Sequence, residues 1–179
     1  MEYPIGQTAV IVPVPHADPI VRSWRRKFDR SAPFGVPAHI TVLYPFIPTN
    51  QLTAADRSEL TEIFAGEKAF AMQLIELRQF PIVNDEPAPL YLAPEPDAPF
   101  QRLTSAVSGR WPEFPPYEGT IADPIPHLTV TEFAAGDDVA AARRSVGPAL
   151  PISAVVDCGS LISFDGTLWR EHTVLPLGR

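Results

Sequence analysis

The chain contains an internal recurrence: PAHITVLYPF, from Pro37 to Phe46, returns as PHLTVTEF, from Pro126 to Phe133. His39 and His127 stand 88 positions apart in 179 residues, and each occupies the corresponding place in its half. In the first half TAVIVPVP reads as a strand, and Asp18 followed by Pro19 supplies an N-cap and an N1 proline for a helix to about Arg30. The His39 strand comes next. Thr53 then caps a helix with Leu60, Ile63 and Phe64 on one face, closed at Gly66, and AFAMQLIELRQF, 69 to 80, is a further strand.

The second half repeats that order. PLYLA, 89 to 93, is a strand; Asp97 caps a helix with Phe100, Leu103, Val107 and Trp111 on one face; then comes the His127 strand. Asp137 or Asp138 opens another helix, which Gly147 and Pro148 close. PISAVVDC, SLISF and TLWREHTVLPL read as strands with a turn at Asp165-Gly166. A unit of about 85 residues is too long for a solenoid repeat. The predicted fold is therefore α+β: two similar lobes, each an antiparallel sheet with helices outside, related by a pseudo-two-fold around a central groove. The halves, about 1–83 and 84–179, form one bilobal domain, and exchange of strands between lobes is compatible with the order.

Composition bounds the function. A 45% hydrophobic content supports a proper core, and 22 prolines with 10 glycines stay below the roughly 25–30% of a low-complexity chain. The opening MEYPIGQ has neither a basic n-region nor an apolar h-region, and no apolar run reaches membrane-spanning length, so a cytoplasmic protein without a membrane partner is expected. Cys158 is the only cysteine, which excludes an intramolecular disulfide and a multi-cysteine zinc site; it reads as a small buried apolar residue. A net charge of −7 argues against a grip on long duplex nucleic acid and leaves a small phosphate ligand open. The basic run RSWRRKFDR, with Ile20, Val21, Trp24 and Phe28 at helical spacing, reads as an amphipathic helix with a solvated face.

Strand alternation gives the two motifs their chemistry. It puts His39, Thr41 and Leu43 on one face with Ile40 and Val42 on the other, and likewise His127, Thr129 and Thr131 against Leu128, Val130 and Glu132. An imidazole and a hydroxyl two positions apart lie about 6.5–7 Å from each other, a gap that a phosphate fits. Two such pairs across one cleft supply two proton carriers with ordinary pKa values near 6.5 and two hydroxyl donors for non-bridging oxygens. One imidazole can then deprotonate water while the other protonates the leaving oxygen. A single histidine on a strand is ordinarily a half-buried structural residue, and threonine is simply a good strand former. The matched pair is what points to catalysis.

HITV at 39 to 42 and HLTV at 127 to 130 resemble the two H-x-T-x signatures of the 2H phosphoesterase superfamily. The fuller PAHITVLYPF and PHLTV are similar to its branch of 2′-5′ RNA ligase-like and 2′,3′-cyclic phosphodiesterase-like proteins. The resemblance implies a bilobal fold, no metal and no cofactor, and hydrolysis of cyclic or 2′-linked phosphodiesters. It makes His39 and His127 the acid and base, in an order left open, and Thr41 and Thr129 the phosphate-holding hydroxyls. The implied partner is a small nucleotide or an RNA end bearing a cyclic or 2′-linked phosphate, met by a monomer. A nucleotide-binding module without turnover, and reversible 2′-5′ ligation, are the alternatives.

Tyr44, Phe46 and Tyr91 are further candidates for base or substrate contacts, with core packing as the competing role, which is the preferred one for Tyr91 and Trp169. Arg78 and Arg170 read as surface arginines. His16 and His172 have no threonine two residues on and stand outside the expected site. A zinc site on His39, His127 and an acid lacks the usual ligand spacing.

Overall fold

The computed structural model describes residues 3–121 and 123–179. In chain order the elements are β1 (Thr8–Pro13), α1 (Asp18–Phe28), β2 (His39–Phe46), α2 (Ala54–Gly66), β3 (Phe70–Gln79), β4 (Leu90–Glu95), α3 (Ala98–Arg110), β5 (Leu128–Thr131), α4 (Asp137–Val146), β6 (Ile152–Val156), β7 (Cys158–Phe164) and β8 (Trp169–Pro176). The α+β class and the antiparallel pairing hold. The strands form one continuous, curled eight-stranded sheet, however, in the order β6-β3-β4-β5-β2-β1-β7-β8.

Local chemistry explains most boundaries. Thr53 caps α2 in a reciprocal box: its Oγ1 accepts from the Asp56 N–H at 3.1 Å, and the Asp56 carboxylate accepts from the Thr53 N–H at 2.9 Å. Asp18 does not cap α1. The N-cap is Ala17, and Asp18, already helical, accepts from Arg22 Nε at 2.8 Å and from the Ala38 N–H at 3.1 Å. That second bond ties the start of α1 to the residue before His39. Asp97 is at the N-cap of α3 without a capping bond, its Oδ2 accepting instead from Gln101 Nε2 at 3.0 Å.

All four helices contribute buried residues to one apolar cluster, including Val21, Phe64, Leu103 and Val146, packed against Val10, Ile40, Leu74, Leu92 and Leu128 of the sheet. A second, smaller cluster joins Ala9, Ile11, Val36, Ile162, Phe164 and Trp169. Its strand residues alternate with Val10, Val12 and Leu161 of the first cluster, so it occupies the opposite sheet face. Close approach of α2 to that sheet requires Gly159, because a Cβ there would run into the fully buried Phe64 ring and stand 3.1 Å from the Ile11 carbonyl oxygen. Gly159→Ala is expected to lower the unfolding free energy by about 1–3 kcal/mol through overpacking. An unchanged urea midpoint would remove this account.

Among the described residues no helix is long and apolar enough to cross a membrane. Cys158 is half-buried rather than buried, and burial together with the adjacent Asp157 pushes its thiol up, away from thiolate chemistry.

Candidate active site

The sheet's central seam creates the site. β2 and β5 meet through one register pair, Ile40 with Leu128, both fully buried on the helix side. Continuing that antiparallel register puts His39 opposite Thr129 and Thr41 opposite His127. Cross-strand partners are about 4.5–5.5 Å apart at Cβ, and diagonal ones about 7–8 Å. The four side chains thus form a quadrilateral on the face away from the helices, and all four line one cavity of about 540 Å³. The two motifs come together.

Each imidazole is held in the same way. His39 Nδ1 bonds the Pro37 carbonyl at 2.8 Å, and His127 Nδ1 bonds the Ile125 carbonyl at 2.6 Å. A carbonyl can only accept, so Nδ1 carries the proton in both rings and Nε2 is left to exchange one with a ligand. Tyr91 stacks on Phe80 at 4.4 Å, and both meet the His127 ring edge-on, at 5.4 and 5.1 Å. Burial, then the nearby Arg25 guanidinium, push His39 down to about 4, against the pull of Asp29. Burial pushes His127 down as well.

Simple alternation fails just past each threonine. Ile11 pairs with Thr41 and Val10 with Leu43, so β2 carries one extra residue there; Tyr91 pairs with Thr129 and Leu90 with Thr131, so β5 does the same. Such a bulge flips the parity of the residues beyond it. Leu43 consequently joins the helix-side core instead of sharing a face with Thr41, and Tyr44 enters the cavity. Thr131 is fully buried, and Glu132 lines the cavity rather than sharing the Leu128 face.

Of the aromatic candidates, Tyr44 lines the cavity. Phe46 lies in the core at 5.1 Å from Trp111, because a further irregularity in β2 turns it to the helix side. Tyr91 is buried behind Phe80 and His127 as a brace. Trp169 does pack in a core cluster, yet it also lines the cavity, and its indole N–H finds no partner among the described residues. Arg78 pairs with Glu76 and Arg170 with Asp165, both at the surface.

Several residues in the cavity wall, and the buried Arg25 behind it, escaped the sequence reading. Arg25 is buried in α1, with Nε donating to Asp29 Oδ2 at 2.8 Å, Nη1 to the Val36 carbonyl at 3.1 Å and Nη2 to Ser31 Oγ at 3.2 Å. Asp29 lines the cavity; burial alone would raise its carboxyl, but Arg25 and Ser31 hold it below the usual range. Their signal was present, since Val21, Arg25 and Phe28 share one helical stripe. Glu132 lines the cavity beside Asp29, paired with the Arg30 guanidinium at 3.2 Å and accepting from the Arg30 N–H at 3.1 Å. Tyr3 and Tyr117 complete the wall. Burial pushes Tyr3 up to about 12 and raises Tyr44 and Tyr117, so these phenols stay protonated donors at neutral pH.

Comparisons with known proteins identify the fold and the family. Residues 12–168 match the model of the 2′-5′ RNA ligase superfamily. Among solved structures, Escherichia coli LigT complexed with 3′-AMP is 14% identical with a TM-score of 0.58, covering 97% of this chain and 99% of that one. A Thermus thermophilus protein is 19% identical with a TM-score of 0.60, covering 97% and 99%. A protein described as a phosphoesterase is 14% identical with a TM-score of 0.59, covering 98% and 100%. At these identities the structural likeness speaks for the fold. A search of curated proteins gave no match. With the family model spanning most of the chain and the fold shared end to end, the chain belongs to the 2′-5′ RNA ligase superfamily, the 2H phosphoesterases.

Proposed function

We propose that this chain hydrolyses 2′,3′-cyclic phosphate ends of RNA or of small nucleotides, without a metal, with one of His39 and His127 as general base and the other as general acid. Thr41 and Thr129 donate to the non-bridging oxygens. One imidazole Nε2 takes a proton from water as the water oxygen bonds to phosphorus. The P–O3′ bond breaks on the far side, and the other imidazole gives its proton to the departing oxygen, leaving a 2′-phosphate. The observation that carries the reading is the Ile40–Leu128 register, which gathers both motifs into one cavity. Identical Nδ1 anchoring and an extra residue after each threonine support treating the two halves as pseudo-two-fold equivalents.

The cavity is in the size range of small-ligand sites, roughly 300–1,000 Å³, and its aromatic walls suit a stacked base. Structures of the E. coli LigT relative hold 3′-AMP, NADP+ and ATP, which supports a nucleotide as ligand here. The family's description favours a second reading, 2′-5′ ligation, in which an RNA hydroxyl replaces water as the nucleophile. Incubation with 2′,3′-cyclic nucleotides, alone and with an RNA acceptor, separates the outcomes. A 2′-phosphate supports hydrolysis, and a 2′-5′ linked product supports ligation. Binding without product would reduce the protein to a nucleotide-binding module.

The pH dependence follows from the lowered imidazoles. In the free protein at pH 7 both rings are neutral, whereas the productive form carries one proton. That form fills as pH falls below the ordinary histidine value of about 6.5 and empties once the second ring is protonated. A bound phosphate anion favours the imidazolium and moves the window upward. The expected result is a bell-shaped kcat/KM profile with its maximum below pH 6.5, and a kcat maximum at higher pH. A kcat/KM maximum at pH 8 would contradict this protonation scheme.

A further inference from the structure

The segment joining α3 to β5 passes over the cavity in an unusual conformation. Tyr117, Glu118 and Gly119 have φ of 51°, 55° and 76°, three consecutive residues in the left-handed region. Side-chain-bearing residues enter that region rarely and at a cost, which marks sites where a side chain is held for use. The turn is fastened to itself. The Glu118 N–H donates to the Pro115 carbonyl at 3.1 Å, and the Thr120 N–H and Oγ1 both donate to the Tyr117 carbonyl, at 3.0 and 2.6 Å. Pro112, Pro115 and Pro116 restrict the alternatives on its N-terminal side.

What this turn presents is the Tyr117 side chain, which lines the same cavity as both motif pairs, with the Thr41 hydroxyl as its polar neighbour. Among the described residues Tyr117 belongs to neither apolar cluster, so core packing does not account for it. We propose that Tyr117 is a third phosphate-contacting hydroxyl of this site, its phenol O–H donating beside Thr41 to a non-bridging oxygen. The proposal deepens the reading above and rests on a phosphodiester occupying the cavity. Burial keeps the phenol protonated, so it meets the anion as a donor rather than as a repelling phenolate.

The test uses Tyr117→Phe, which keeps the ring and removes only the hydroxyl. With 2′,3′-cyclic AMP, kcat/KM should fall about 10- to 100-fold, toward the loss seen on removing one oxyanion donor. In titrations, affinity for 2′-AMP should fall about tenfold while affinity for adenosine stays unchanged, because only the former carries the phosphate. Combined with Thr41→Ala, the losses should be less than multiplicative if both hydroxyls serve one oxygen. Unchanged kcat/KM and 2′-AMP affinity would overturn the assignment, as would equal weakening of 2′-AMP and adenosine. If the wild type turns over no cyclic nucleotide yet Tyr117→Phe weakens 2′-AMP alone, the hydrolytic reading fails and the phosphate contact stands.

Discussion

His39→Ala and His127→Ala are each expected to lower kcat on a 2′,3′-cyclic nucleotide by at least about 10²-fold, the low end of what a positioned acid or base contributes. Both Nδ1 atoms are occupied by backbone carbonyls, so each ring has a single free nitrogen for proton transfer, and no other histidine lines the cavity among the described residues. The double variant should lose little beyond the worse single one, because the displacement needs both transfers. Folding should survive, since the imidazoles lie at the cavity wall outside the apolar clusters; His→Asn versions, with matching circular dichroism and melting curves, check that point. Near-wild-type turnover in either alanine variant would eliminate paired-histidine catalysis.

Arg25→Ala should lower the unfolding free energy by about 3–5 kcal/mol at pH 7, the cost of stranding a buried charge. Arg25 and Asp29 are 2% and 6% exposed, and Arg25 also satisfies the Val36 carbonyl and Ser31, so its removal leaves several groups without a partner. With the guanidinium gone, burial of Asp29 loses its strongest opponent, the Ser31 bonds remaining beside it, and the carboxyl rises. The deficit should therefore shrink as pH falls and the carboxyl takes up a proton, and Asp29→Asn added to Arg25→Ala should recover part of it at pH 7. A loss below about 1 kcal/mol at pH 7, read by urea unfolding, would show that the pair matters less than its burial implies.

The legible part of this molecule was whatever depends on near neighbours in sequence. The α2 cap at Thr53, the apolar stripe of α3 and the His39 and His127 strands follow from propensity and periodicity. The meeting of the motifs was anticipated by their matched positions, yet its means, a single main-chain pair between β2 and β5, is a long-range event with no local trace. Alternation misplaced Leu43, Thr131 and Glu132 because a bulge is set by the partner strand, which sequence order does not reveal. Charge misplaced Arg25: a cation on an apolar stripe looks like a solvated face until the carboxylate that receives it is found. Tyr117 lay hidden in a proline-rich loop, where no period exists to say which way a side chain turns.

β3 lies between β6 and β4, whereas β7 and β8 extend the ladder beside β1. Either half of the polypeptide, cut free near residues 80 to 89, would give up strands that the other half's hydrogen bonding needs, and would leave one histidine and one threonine facing solvent. Any fragment that keeps both the sheet and the cavity must therefore hold at least the span from Thr8 to Pro176, with Tyr3 of the cavity wall lying outside it.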